Sequence, residues 1–144
     1  MTVLDASALV AALLDEPGRD LVERLLRAQP SPSISAANLI EAIDRLERVE
    51  GHSAADVRDR IDWLIVGGLQ VEPLWLTAAR RAAAIRARHY HRERAPLSLA
   101  DCICIASAIY LDTDLATTDP AVATVARAVG LDVVAVPDSN GVLP

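Results

Sequence analysis

Four acidic residues are placed where a folded chain could bring their side chains together. Asp5, Asp101 and Asp119 lie at junctions between candidate strands and helices, and Glu41 lies one turn into a candidate helix. Carboxylate oxygens suit a hard cation such as Mg²⁺ or Mn²⁺. A cation held in this way activates water and stabilises the charge that develops during phosphodiester hydrolysis. The residue types therefore indicate metal-assisted hydrolysis.

Each of these acids also has a structural interpretation. Asp5 and Asp119 suit helix N-caps, and Pro120 fits the first position of the following helix. Asp101 completes a Ser-x-x-Asp capping pattern that begins at Ser98. On this interpretation the acids only cap helices, and the protein is a non-catalytic α/β module that binds RNA or protein.

Glu41 has a structural alternative of its own, because Arg45 and Arg48 follow it at helical spacing and predict a salt-bridged solvent face. Taken together, however, strand ends and helix starts of a parallel sheet meet at one edge. Carboxylates gathered at that edge would repel one another, and a bound cation relieves the repulsion. Collectively the acids favour a metal site.

The elements that would position these side chains alternate along the chain. Candidate strands cover residues 2–4, 33–34, 69–72, 114–118 and 132–136. Candidate helices cover residues 6–14, 19–28, 36–50, 53–64, 76–89, 99–110 and 120–130, and the tail after Pro137 is predicted to be loose. Strands that alternate with helices predict parallel pairing with right-handed crossovers, an α/β fold.

Length and composition limit the classes of protein. The 144 residues predict a single domain, 1–144. The apolar runs are shorter than a membrane span, and no leader precedes the first strand, so a cytoplasmic protein without membrane contact is expected. Cys102 and Cys104 are too close in sequence for an ordinary structural disulfide and are expected to be free apolar side chains.

Charge excludes further mechanisms. The net charge of −6 opposes binding of nucleic acid unless positive charge is locally concentrated or a cation intervenes. All 14 basic residues are Arg, so a phosphate-binding P-loop with its Lys is excluded. A receiver domain also needs a Lys. A phospho-aspartyl phosphatase requires a second Asp two residues after the first, where this chain has Ser7.

Four segments, in order, resemble the motifs of PIN-domain ribonucleases. They are MTVLDASAL at residues 1–9, ISAANLIEA at 34–42, LSLADCICIASA at 97–108 and LATTD at 115–119. The length is similar to that of VapC toxins of type II toxin–antitoxin pairs, and the likeness extends to about Val136. The resemblance implies a PIN-like three-layer α/β/α sandwich with a mostly parallel central sheet.

The resemblance also implies residue roles. Asp5, Glu41, Asp101 and Asp119 would form the catalytic site and bind Mg²⁺ or Mn²⁺, with Ser7 and Thr118 supporting them. It further implies a metal-dependent endoribonuclease that is a homodimer and is inhibited by a small VapB-type antitoxin reaching into the acidic pocket. Asp114 would compete for the role of Asp119 if the strand register differed.

Positive charge is concentrated between residues 80 and 94. This segment contains six arginines and a single acid: Arg80, Arg81, Arg86, Arg88, Arg92 and Arg94. Arginine binds phosphate bidentately and stacks on bases, and Tyr90 could stack as well. These residues are candidates for RNA binding, although a solvated helix face is the alternative. With only 3% aromatic residues, recognition would be mainly of backbone and shape.

Overall fold

The computed structural model describes all 144 residues. Its strands are β1 (Thr2–Leu4), β2 (Ser33–Ser35), β3 (Gln70–Glu72), β4 (Asp114–Thr117) and β5 (Val133–Ala135). Its helices are α1 (Ala6–Leu13), α2 (Arg19–Leu26), α3 (Ala36–Asp44), α4 (Ala54–Val66), α5 (Leu76–His89), α6 (Leu99–Tyr110) and α7 (Pro120–Ala128). The predicted alternation of strands and helices is confirmed.

The five strands form one sheet in the order β3-β2-β1-β4-β5. Every pairing is parallel, so the sheet is wholly rather than mostly parallel. The central strand is β1, where Val3 lies opposite Leu115 and Leu4 opposite Ala116. The first strand of the chain therefore lies at the middle of the sheet.

Helices cover both faces of this sheet. Successive strand residues point to opposite faces, so Leu4 and Val3 enter different cores. Leu4 joins a buried cluster with Leu9 and Ile61, from α1 and α4. Val3 joins a second cluster with α5, α6 and α7. Two apolar cores on either side of a sheet make the predicted three-layer α/β/α sandwich.

The carboxyl ends of β1, β2 and β4 meet at one edge of the sheet. Asp5 follows β1, and its backbone N–H donates to the Ala116 carbonyl at 2.9 Å. Asp114 begins β4 opposite Thr2, at the other edge, and is exposed. The register thus separates Asp114 from Asp5 and brings the end of β4 towards it.

The segment predicted as one helix over residues 36–50 changes its winding. After α3, residues Arg45–Val49 form a π-helical turn, in which the Glu50 N–H donates to the Arg45 carbonyl at 3.0 Å. The wider turn keeps Leu46 buried while the chain reverses at Gly51, whose φ of +76° favours glycine. This turn depends on tertiary packing that the helical pattern does not encode.

The tail after Pro137 is ordered into a turn rather than loose. The Asp138 carboxylate accepts hydrogen bonds of 2.8 Å from the backbone N–H groups of Asn140 and Val142. Elsewhere, Cys102 and Cys104 are buried free thiols, as expected. No helix has both the length and the apolar character required to cross a bilayer.

Candidate functional site in an acidic cleft

A cleft of about 170 Å³ opens at the carboxyl edge of the sheet. Eight residues line it: Asp5, Ala6, Ser7, Val10, Glu41, Arg45, Asp101 and Asp119. All four acids singled out from the sequence therefore line the same cleft. Asp114 is not among them.

Asp5 lies at the bottom of the cleft and is only 2% exposed. Its Oδ1 accepts hydrogen bonds from the Ala6 N–H at 2.8 Å and from Asn38 Nδ2 at 3.0 Å. Its Oδ2 accepts from Ser7 Oγ at 2.7 Å and from Thr117 Oγ1 at 2.8 Å. Four donors satisfy both oxygens, so the carboxylate is fixed in orientation.

Asn38 is a residue that sequence reasoning missed. It is fully buried, and its side-chain oxygen accepts a hydrogen bond from Ser35 Oγ while its Nδ2 donates to Asp5. Ser35 is also the N-cap of α3, accepting from the Asn38 N–H at 3.1 Å. The sequence feature that could have identified Asn38 is its amide side chain, which stands alone among the apolar residues at the start of α3.

Ser7 and Thr118 contribute differently from each other. The Ser7 hydroxyl donates to Asp5 and accepts from the Thr118 backbone N–H at 3.1 Å. Thr118 makes no side-chain hydrogen bond, and the neighbouring Thr117 is the residue whose hydroxyl reaches Asp5. The structure therefore places the Thr117 hydroxyl where the sequence suggested that of Thr118.

Asp101 and Asp119 cap helices and also face the cleft. Asp101 Oδ2 accepts from the Ser98 N–H at 2.6 Å, completing a capping box. Asp119 Oδ1 accepts from the N–H groups of Ala121 and Val122 at 2.6 and 3.1 Å. In each carboxylate the other oxygen accepts no hydrogen bond. Capping therefore uses one oxygen and leaves the second for the cleft.

Glu41 is the acid of the cleft whose carboxylate lacks hydrogen-bond donors. Its Oε2 is buried and has no hydrogen-bond partner. No ion pair links it to Arg45 or Arg48, so the predicted salt-bridged face does not form. Instead Arg45 lies 3.7 Å from Glu16 and 3.5 Å from Glu50, and Arg48 pairs with Asp44.

Burial and mutual repulsion raise the pKa of three acids. The pKa of Asp5 rises from 3.8 to about 6, first because the group is buried and second because Asp101 is close. The pKa of Glu41 rises from 4.5 to about 7 through burial and the charges of Asp101, Asp5 and Asp119. Burial also raises the pKa of Asp101. The acids interact electrostatically as one cluster.

A divalent cation fits this donor set. The orphaned Glu41 Oε2 and the free oxygens of Asp101 and Asp119 are hard ligands, and positive charge would relieve the repulsion that raises these pKa values. As the side chains stand, no three acidic, cysteine or histidine groups surround a common ion position. The chemistry of the donors, rather than a preformed cage, supports a metal.

The six arginines of residues 80–94 lie on α5 and the loop that follows it. Arg86 is engaged internally, since its guanidinium donates to the Leu97 carbonyl and lies 4.4 Å from the centre of the Tyr90 ring. The other five are exposed. All seven ion pairs of the chain lie between residues 15 and 59, so these arginines have no acidic partner.

Comparisons with known proteins agree with this architecture. A family model described as "PIN domain" matches residues 2–128. No curated protein has a sequence that matches the chain.

Solved structures share the fold at low sequence identity. The VapC20 toxin of Mycobacterium tuberculosis, described as cleaving the sarcin–ricin loop, matches with a TM-score of 0.67 at 17% identity, over 91% of this chain and 96% of that one. DNA-bound VapBC from Salmonella typhimurium gives 0.66 at 19%, over 92% and 96%. A toxin–antitoxin complex from Klebsiella pneumoniae gives 0.60 at 16%, over 83% and 87%.

Proposed function

The chain belongs to the PIN domain family, and on this basis we propose that it is a divalent-metal-dependent endoribonuclease, the toxin of a VapBC-type toxin–antitoxin pair. The observation that carries the proposal is the meeting of Asp5, Glu41, Asp101 and Asp119 in one cleft. The toxins among its structural neighbours support the same assignment.

Asp5, Glu41, Asp101 and Asp119 would hold Mg²⁺ or Mn²⁺. A cation bound there supplies activation of water and neutralisation of charge on the phosphodiester. Asp5 is held rigidly by its four donors, whereas Asp101 and Asp119 each present one oxygen without a hydrogen bond. Glu41 would orient the attacking water, because no histidine lines the cleft. Ser7, on α1, and the Thr117–Thr118 segment, at the end of β4, would fix this arrangement.

RNA would be bound by the arginine surface, which we define as Arg80, Arg81, Arg88, Arg92 and Arg94. Arg86 does not belong to this surface, because its guanidinium is hydrogen-bonded to the Leu97 carbonyl. The freedom of the arginine surface from acidic partners supports a polyanionic ligand. Helix α5 packs directly on α6, the helix that carries Asp101. A bound backbone could therefore extend from this surface to the cleft.

A small VapB-type antitoxin would inhibit the enzyme by placing a basic side chain among the carboxylates. Four acids and a single arginine line the cleft, which suits a charge-assisted hydrogen bond from such a side chain. We also propose a homodimer in the cytoplasm, where its RNA substrates are found. Leu74, Trp75 and Leu76 form a row of exposed apolar side chains that a second copy would cover.

The decisive test is cleavage of structured cellular RNA by the purified protein with Mg²⁺, with Mn²⁺ or with EDTA. We expect cuts that require metal and that disappear in Asp5→Asn and Asp101→Asn. Asp114→Asn, at the opposite edge of the sheet, is the matched control and should cut as the wild type does. Cuts that survive EDTA or both substitutions in the cleft would contradict the proposal.

A second candidate, the non-catalytic binding module, is favoured by one observation. Asp5 and Asp119 are N-caps and Asp101 completes a capping box with Ser98, as the structural interpretation predicts. It does not explain Glu41, which caps nothing and has a buried oxygen without a partner. Binding of RNA without cleavage, together with no thermal stabilisation by Mg²⁺ or Mn²⁺, would favour the module.

A further inference from the structure

Arg45 is the one basic residue among the eight that line the acidic cleft. It follows Glu41 by one helical turn, yet no ion pair joins them within 4.0 Å. Its side chain is 43% exposed, so its guanidinium is accessible from solvent. The cleft therefore carries a cation that its own carboxylates do not neutralise.

The contacts that hold Arg45 are loose. Its guanidinium nitrogens lie 3.7 Å from Glu16 and 3.5 Å from Glu50, and neither contact is a hydrogen bond. On the same helical segment, Arg48 makes two hydrogen bonds to Asp44, at 2.9 and 2.7 Å. One arginine of this segment is thus tied to its neighbour, whereas the other can exchange partners.

The backbone is also unusual at Arg45. Arg45 is the first residue of the π-helical turn, and its carbonyl accepts the hydrogen bond that widens the helix. Turns of this kind are rare and occur frequently at functional sites. Here the turn brings Glu50 back towards Arg45, so both carboxylates that contact the guanidinium come from outside α3.

Resting on the function proposed above, we propose that Arg45 binds a backbone phosphate of the RNA at the mouth of the cleft, exchanging Glu16 and Glu50 for it. A phosphate approaching four carboxylates is repelled, and a guanidinium at the rim offsets that repulsion. Arginine also matches phosphate geometry bidentately, which two loose carboxylate contacts do not. In the absence of RNA, Glu16 and Glu50 keep the guanidinium of Arg45 at the rim of the cleft.

The test measures binding of a fluorescein-labelled synthetic RNA hairpin in the Asp101→Asn background with Mg²⁺. Arg45→Gln should weaken binding roughly 10-fold and reduce the salt slope by about one, the signature of one lost phosphate contact. Arg48→Gln changes net charge equally and should leave affinity within about twofold of the background. In the cutting enzyme, Arg45→Gln should raise KM more than it lowers kcat.

A second pair of variants separates phosphate binding from a structural role. Glu16→Gln with Glu50→Gln frees the guanidinium and should tighten RNA binding. Asp44→Asn with Glu47→Gln removes the same amount of charge from acids that do not contact Arg45 and should tighten it less. If Arg45 only clamps the fold, then Arg45→Gln and the Glu16/Glu50 variant should both lower the melting temperature without opposite effects on affinity.

Several outcomes would overturn the inference. If Arg45→Gln and Arg48→Gln weaken binding equally, or if freeing Arg45 fails to tighten it, Arg45 does not contact phosphate. Should the wild type cut RNA while either result is obtained, only this inference fails. Should the wild type neither cut nor bind RNA, the proposed function and the inference fail together.

Discussion

The side-chain amide of Asn38 donates a hydrogen bond of 3.0 Å to the Asp5 carboxylate, joining the start of α3 to the end of β1. Both side chains are buried. This contact holds the most enclosed acid of the cleft from a helix 33 residues away in sequence. Asn38 therefore links the two halves of the site without facing the cleft itself.

Asn38→Ala should lower the free energy of unfolding by about 1–3 kcal/mol, because a buried carboxylate loses a donor. It should also raise the pKa of Asp5, because a hydrogen bond donated to the ionised carboxylate favours that form. Urea denaturation and carboxyl NMR titration of the metal-free protein measure the two effects. Asn140→Ala, at an exposed position, is the control. An unchanged pKa would show that Asn38 only fills space.

Asp5→Asn should change how stability depends on pH in EDTA. The folded pKa of Asp5 is about 6 and its ordinary value is 3.8, so the folded state retains a proton that the unfolded state loses. Its contribution to stability is therefore complete below about pH 4 and is lost as pH rises through about 6. Above that range, the ionised Asp5 carboxylate lowers the free energy of unfolding by about 3 kcal/mol.

Asparagine removes this dependence and keeps the hydrogen bonds, because the hydroxyls of Ser7 and Thr117 can accept from its amide. The stability of Asp5→Asn relative to wild type should thus be greater at about pH 8 than at about pH 4. Urea unfolding across this range gives the difference. A constant difference between the two proteins would contradict the raised pKa.

Mg²⁺ or Mn²⁺ should stabilise the wild-type protein against heat, because a ligand that binds only the folded state raises the melting temperature. The rise should be largest above about pH 7, where Glu41 and Asp5 are ionised. Glu41→Gln should abolish most of it, and Asp114→Asn should not. Differential scanning fluorimetry is sufficient. Equal shifts in both variants would place the ion elsewhere.

Replacing Arg88 and Arg92 by Gln should weaken RNA binding and lower the salt slope by about two, because each arginine of the surface contacts phosphate. Arg24 is exposed and free of ion pairs like the arginine surface, but it lies on α2. Each single variant, Arg88→Gln or Arg92→Gln, is therefore compared with Arg24→Gln, which removes the same charge. An equal loss from Arg24→Gln would mean that net charge alone, and not this surface, governs affinity.

Much of this fold could be predicted because local and tertiary signals coincide. Ser35 and Ser98 cap their helices as the sequence pattern predicts, and Ser53, predicted as the first residue of its helix, is the N-cap of α4. The meeting of the acids in one cleft could be predicted in the same way, because the carboxyl ends of parallel strands lie at the same edge of a sheet.

The features that escaped prediction depend on distant contacts. Whether Thr117 or Thr118 turns its hydroxyl to Asp5 is decided by strand register, where one residue reverses the facing side. The partners of Arg45 come from an adjacent loop and from beyond the π-helical turn, and no spacing within α3 encodes them. Asn38 is identified only when β1 is placed beside α3.

The hydrogen bond from Thr117 to Asp5 joins residues 112 positions apart. At translation rates of about 5–20 residues per second, the ribosome adds Thr117 roughly 6–22 s after Asp5. For most of that interval the growing polypeptide has β1 but lacks Asp101, and Asp119 is added only after Thr117. The cleft is consequently assembled only when synthesis is nearly complete, so the activity proposed for it cannot begin on the nascent chain before that point.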